Sequence, residues 1–280
     1  VISRVFGAAL RAFFVVLMIS LPSLLLPGVI GDITQIVALL CIFAAGLVFF
    51  EYSAISPGLV EFRDAPPFNR IRFAAMFFTV MMLTLICKGQ VEPTTLTMFA
   101  SAIGSVIAQV TDFPYSPVHL FIGLLPEGTD PAQVQLVRVS AGVAYLVSVV
   151  SLGVFVLVTR IKTWPSRNGA FNVWVNLPTF DPTAGGDVVE RLNRDARFNI
   201  ALGVVLPFVV PVVIQASSML FSPFTLGSPH TLIWTVSAWA LFPAGLFMRG
   251  IAIGRVAAMI VEQRRRGGPM APDRPDCVPA

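Results

Sequence analysis

Six long apolar stretches, their cores free of ionisable side chains, constrain this chain more than any other feature. They lie near residues 12–30, 33–50, 71–88, 134–160, 198–221 and 231–252, each bounded by charge, Pro or Gly. A helix needs about 17–25 mostly apolar residues to cross the hydrocarbon of a bilayer. Backbone groups at that depth find no water, so each stretch must satisfy its own hydrogen bonds as a helix. With 56% apolar and 12% charged residues, and a mean hydropathy of +0.82, the chain lies outside the range of soluble domains. The expected fold is an all-α polytopic integral membrane protein, one bundle of about six spans over residues 1–266.

The charges orient that bundle. Threading it with the start of the chain inside leaves Lys88 and Arg138 on the outer side and puts the other seventeen of 19 Lys and Arg residues inside. That is the positive-inside bias. The outer side receives Asp32, Glu92, Asp112, Glu127 and Asp130. The expected location is the bacterial cytoplasmic membrane with both termini cytoplasmic, a first residue of Val being read as a literal GTG start. The first apolar stretch lacks a small-x-small cleavage site and is read as an uncleaved helix. Residues 95–111 are uncharged and about long enough to cross, but a crossing there would carry the basic 162–197 loop outside. The only apolar stretch left to restore parity, 116–126, is too short. Residues 95–126 are therefore expected to form a re-entrant or interfacial helical pair on the outer side, packed against the bundle.

Small residues recur at helical spacing: Ala100, Gly104 and Ala108; Ser140, Ala144 and Ser148; Gly250 and Gly254. Such faces let backbones approach closely, within one bundle or between subunits. Pro22 and Pro27, and Pro207 and Pro211, mark kinks in the first and fifth spans. The last helix, continued from 231 to 266, would run about 50 Å and project from the bilayer. Arg249, Arg255, Arg264, Arg265 and Arg266 are candidates for lipid headgroup contact. The Pro-rich tail, 267–280, is expected to be disordered.

Two inner loops, 51–72 and 162–197, carry most of the polar information. The first holds Glu61, Arg63, Asp64, Pro66, Pro67, Phe68 and Arg70, a Pro pair flanked by aromatics and both signs of charge. With Trp174 these form a candidate docking surface, whether for the second loop or for a partner. Residues 171–177 alternate and read as an edge-like strand or a segment on the bilayer surface. Asp187 opens an amphipathic helix leading into the fifth span, with Glu190 at the capping-box position.

The search for chemistry is mostly negative. There is no P-loop, GxGxxG, HExxH or GxSxG, and the span cores lack the titratable group that a proton- or ion-coupled carrier uses. Cys41, Cys87 and Cys277 form no metal or disulfide spacing. The net charge of +4 follows from the helix-flanking Arg residues and implies no nucleic acid. His119 and His230 both follow Ser-Pro on the outer side and are the only candidates to ligate a haem or serve a quinone; no cofactor is predicted. Three readings follow. The first is a non-catalytic accessory, scaffold or assembly subunit of a larger inner-membrane complex, respiratory or photosynthetic, with lipid and other integral membrane subunits as partners. The second is an uncoupled small-molecule or lipid transporter, whose cavity would use Thr79, Thr84, Asn199, Gln215, Ser217 and Ser218. The third is a haem- or quinone-associated redox subunit.

Overall fold

The computed structural model describes residues 2–28, 31–56, 58–161, 164–165, 171–181, 185–218 and 226–266, and the backbone alone of Ile2, Asp32, Val173 and Trp174. The 267–280 tail, Lys162, Arg167 and the Trp174 indole lie outside that description. Among these residues the chain is all helical: α1 (Ile2–Leu25), α2 (Gly31–Ser53), α3 (Phe68–Gly89), α4 (Thr95–Thr111), α5 (Pro117–Ile122), α6 (Pro131–Ile161), α7 (Val173–Asn176), α8 (Val188–Ser218) and α9 (Pro229–Arg266). Six of them, all but α4, α5 and α7, are long and apolar enough to span a membrane. The protein is a multi-pass membrane helical bundle.

Three helices form the centre. α3, α6 and α9 pack on one another, α8 lies along α9, and α1 and α2 form a hairpin against α3. One apolar core, including Leu83, Val118, Phe121, Val137, Ala144, Ile233 and Trp239, fills the half towards α4 and α5. A second, including Phe62, Phe68, Phe155, Trp164, Leu192, Met248 and Ile253, fills the Arg-rich end, where loop residues such as Phe62, Trp164 and Leu177 pack against α3, α6, α8 and α9. That end is called the basic face below.

α4 packs against α3 and α6. Thr94 caps its first turn, its hydroxyl accepting from Thr97 N at 3.3 Å while Thr97 Oγ1 accepts from Thr94 N at 2.8 Å, a reciprocal box. Its buried residues are Thr97, Ala100, Gly104, Ala108 and Thr111. Thr97 meets α3 at Gly89, Gly104 meets Ile86 of α3 with Val139 and Val143 of α6, and Ala108 and Thr111 meet Gly142. From Thr97 to Thr111 the helix advances about 21 Å, and along this face it packs on both α3 and α6. At 17 residues it is shorter than the six helices long enough to span a membrane.

Several boundaries differ from the sequence expectation. The amphipathic segment after Asp187 and the fifth span are one helix, α8, running through Pro207 and Pro211. The alternating 171–177 stretch is a single helical turn, α7, and its Leu177 is buried in the basic-face core. An alternation of apolar and polar residues over so few positions serves a helical turn equally well when its neighbours supply the burial. α3 begins at Phe68, so Arg70 and Arg72 lie within the helix.

Candidate functional site

The residues of the first loop turn inward. Arg63 donates from Nη1 to the carbonyls of Glu51 and Ala54, at 2.9 and 2.7 Å, and from Nη2 to Ile55 at 3.3 Å. It thereby satisfies the orphan carbonyls at the end of α2. The Glu51 carboxylate accepts the backbone N–H groups of Gly58, Leu59 and Val60. Phe62, at φ 51°, is held in the left-handed region by burial between Phe68, at 4.7 Å, and Trp164, at 5.6 Å. Asp64 pairs with its neighbour Arg63, Pro67 precedes α3 at the N-cap, and Pro66 and Arg70 are exposed.

The two loops, before α3 and after α6, interlock. Phe62 N donates to Asn176 O at 2.7 Å, Asp64 N to Asn176 Oδ1 at 3.1 Å, and Trp164 Nε1 to Ala65 O at 3.2 Å. Glu61 closes the assembly: its carboxylate accepts Thr179 Oγ1 at 2.9 Å and both prongs of Arg249, Nε at 2.6 Å and Nη2 at 2.8 Å. Of the two docking partners the sequence allowed, the described contacts belong to the second loop. Asn176, Trp164 and Thr179 carry them; the sequence marks Trp164 only as an aromatic-belt residue, and Asn176 and Thr179 carry no signal of this role.

Arg72 is the other residue the sequence left unmarked. Its guanidinium lies 5.1 Å from the centre of the Phe68 ring and close against Gly245 of α9. It lines a cavity of about 380 Å³ whose walls include Met18, Phe73, Met76, Ser151, Leu241 and Phe242. A second cavity of about 530 Å³ lies further along α9, between Phe121, Leu206, Val210, Ile214 and Trp234. Both hollows share Ala238 and Phe242, and Phe242 is 63% exposed. They adjoin at these two residues, following α9, and together are called the α9 groove below. A third hollow, of about 610 Å³, lies over the start of α8 among Asp187, Glu190, Arg191, Arg194 and Arg197.

At the opposite face the two histidines have separate partners. His119 Nδ1 lies 2.8 Å from Asp112 Oδ1, and Arg138 Nε lies 2.9 Å from Asp112 Oδ2 without a hydrogen bond along that line. His230 Nε2 meets Ser23 Oγ at 3.2 Å. No group of three His, Cys, Asp or Glu side chains suited to a metal occurs among the described residues.

The small-residue faces are used between helices of this chain. A methyl on Gly104 would fall 2.6 Å from Val139, and one on Gly250 would fall 2.6 Å from the Ala196 carbonyl; Ser140, Ala144 and Ser148 are buried in α6. Among the arginines proposed for headgroups, Arg249 pairs with Glu61, Arg264 with Asp187 and Arg266 with Glu262. Arg255 is half-exposed and Arg265 exposed. Of the hydroxyl and amide residues expected to line a transport path, Thr79 and Thr84 are fully buried, and Asn199, Ser217 and Ser218 bond backbone carbonyls of their own helix. None of them lines the groove. No protein family model, curated protein or solved structure matches this chain.

Proposed function

We propose that this chain is a non-catalytic multi-pass membrane protein that takes an amphiphile laterally from the bilayer into the groove along α9. That is the first step an uncoupled lipid carrier needs. The groove itself carries the reading. From Trp234 to Met248 it follows α9 for about 21 Å, roughly the length of an extended acyl chain. Its walls are apolar and aromatic with a few polar groups at one end, the composition of a ligand site. The interlocked loops and internally packed small-residue faces speak for the same reading, because the features that suited a partner subunit are already occupied within the chain.

Native mass spectrometry from mild detergent tests it. The wild type should retain a bound lipid, and Ala238→Leu, which fills the groove where its two hollows meet, should release it. Equal lipid retention by both proteins would refute the reading.

The accessory-subunit alternative keeps one observation in its favour. α2 packs chiefly on α1 and exposes Ile36, Leu40, Phe43, Leu47 and Phe50, an apolar flank that another integral membrane subunit could cover. A stoichiometric partner co-purifying in mild detergent, and lost on substituting Leu40 and Phe43 by Ala, would select it.

A further inference from the structure

We infer that Arg72 is the headgroup anchor of the α9 groove and that the amphiphile it selects is a monoanionic phospholipid, an inference that rests on the lateral-groove reading above. Arg72 is the fifth residue of α3, about 6 Å along the helix from Phe68. On the other side it meets Gly245, a full turn deeper along α9 than Arg249. The missing side chain at Gly245 makes its room: a methyl there would stand 3.3 Å from Nη2 and 3.4 Å from Nε.

Charge bookkeeping singles Arg72 out. The nearby carboxylate, Glu61, is taken on both oxygens by Arg249 and on one also by Thr179. Arg72 has no ion pair and no hydrogen bond among the described residues, only the face of Phe68. A guanidinium cannot discharge by losing its proton, and an unpaired cation next to hydrocarbon is costly. Glu61 and Arg249 neutralise each other and Asp195 acts on Arg249, so Arg72 is the charge left without an acid of its own, and a single negative charge beside it completes the site. A phosphodiester accepts two parallel N–H bonds from such a fork. The hydrocarbon walls begin beside it, at Phe73, Met76, Leu241 and Phe242, so the anion they suit carries an acyl chain.

The test uses the full-length protein, delipidated and then titrated with phosphatidylglycerol or phosphatidylcholine and read by native mass spectrometry. The wild type should favour the anionic lipid by roughly tenfold, the scale of one charge-assisted hydrogen-bonded pair. Arg72→Gln should abolish that preference, lowering phosphatidylglycerol retention more than that of phosphatidylcholine, whose phosphodiester is already countered by its own choline, and Arg72→Lys should keep part of it. Elution profile and thermal midpoint show whether each variant is folded, and Arg72→Lys serves where Arg72→Gln is not. An undiminished preference in Arg72→Gln would overturn the anchor and leave the groove standing. Undiminished binding of both lipids in Ala238→Leu would instead remove the groove. Arg72-dependent binding of inorganic phosphate alone, displacing phosphatidylglycerol at equal concentration, would overturn the lipid assignment in favour of a free-anion site.

Discussion

Glu61 and Arg249, 188 residues apart in sequence, meet in a two-pronged ion pair of 2.6 and 2.8 Å. Their side chains are 13% and 28% exposed, so the pair sits at the edge of the low-dielectric region. It ties the first inner loop to the middle of α9, and Thr179 ties the second loop to the same carboxylate.

Removing either partner strands the other charge. Glu61→Gln and Arg249→Gln should each destabilise by about 2–3 kcal/mol, measured as loss of thermal or denaturant midpoint in detergent. The double variant Glu61→Gln, Arg249→Gln should lose less than the sum of the singles, because neither charge is left alone. Additive losses would mean that the pair contributes nothing as a pair.

The two glycines of the Gly250–Gly254 repeat should behave differently. A methyl on Gly250 would be driven to 2.6 Å from the Ala196 oxygen and 2.9 Å from the Ile200 nitrogen, both backbone atoms, whereas one on Gly254 would rest 3.7 Å from the Ala196 methyl. Gly250→Ala should push α8 off α9 and cost about 1–3 kcal/mol. Gly254→Ala should be neutral or slightly stabilising, since alanine favours the helix. Thermal unfolding of the two single variants decides this, and equal losses would contradict the α8–α9 packing described.

α4 as a cap makes a topological prediction. In sealed vesicles, and in a background without Cys41, Cys87 and Cys277, single cysteines at Glu92 and Thr129 should react with an impermeant maleimide from one side. A cysteine at Gly185 should react from the other. Labelling of positions 92 and 129 from opposite sides would make α4 a true span.

Helix content was legible because apolar run length is a local property: six runs predicted six helices long and apolar enough to span, and the run at residues 95–111 gave the shorter α4. The polar architecture was not legible, for a physical reason. The sequence reading set helix ends by charge, yet Arg249 lies in the middle of α9 because a carboxylate 188 positions away neutralises it. Arg72 was overlooked by the same rule, having been assigned to the loop before α3. Trp164 and Asn176 matter through loop-to-loop contacts of large sequence separation, which no periodicity encodes. For His119 and His230, sequence symmetry invited a joint site, whereas the structure gives each its own neighbour.

Three buried hydroxyls, those of Thr79, Ser140 and Ser237, have no hydrogen-bond partner among the described residues, and they belong to the three central helices. Counted from the helix ends at the α4 side, Ser140, Ser237 and Thr79 stand at similar depth. An unsatisfied hydroxyl in an apolar core costs stability, so deleting it should do no harm. Ser237→Ala is expected to be neutral or to stabilise by up to about 1 kcal/mol, read from the thermal midpoint. A clear loss would show that this hydroxyl is bonded, to a neighbour or to a water held between the helices.

Asp187 supplies a pH dependence with a defined sign. Its carboxylate accepts Arg264 Nη2 at 2.9 Å and the Val189 N–H at 3.3 Å; chiefly through Arg264, and then through Val189, its pKa is held below the ordinary 3.8. A depressed folded pKa means the contact is fully present above the unfolded value and is lost as pH falls through the folded one. The exposed bridge should therefore be indifferent to pH from neutrality down to the ordinary carboxylate range and open only below it. Spin labels at Gly185 and Gln263 would report this as a narrow distance distribution that broadens in strong acid, and Asp187→Asn should be broad throughout. High salt should weaken the wild-type contact, because exposed charges are screened. Broadening already near pH 6 would assign the junction between the start of α8 and the end of α9 to some other titrating group.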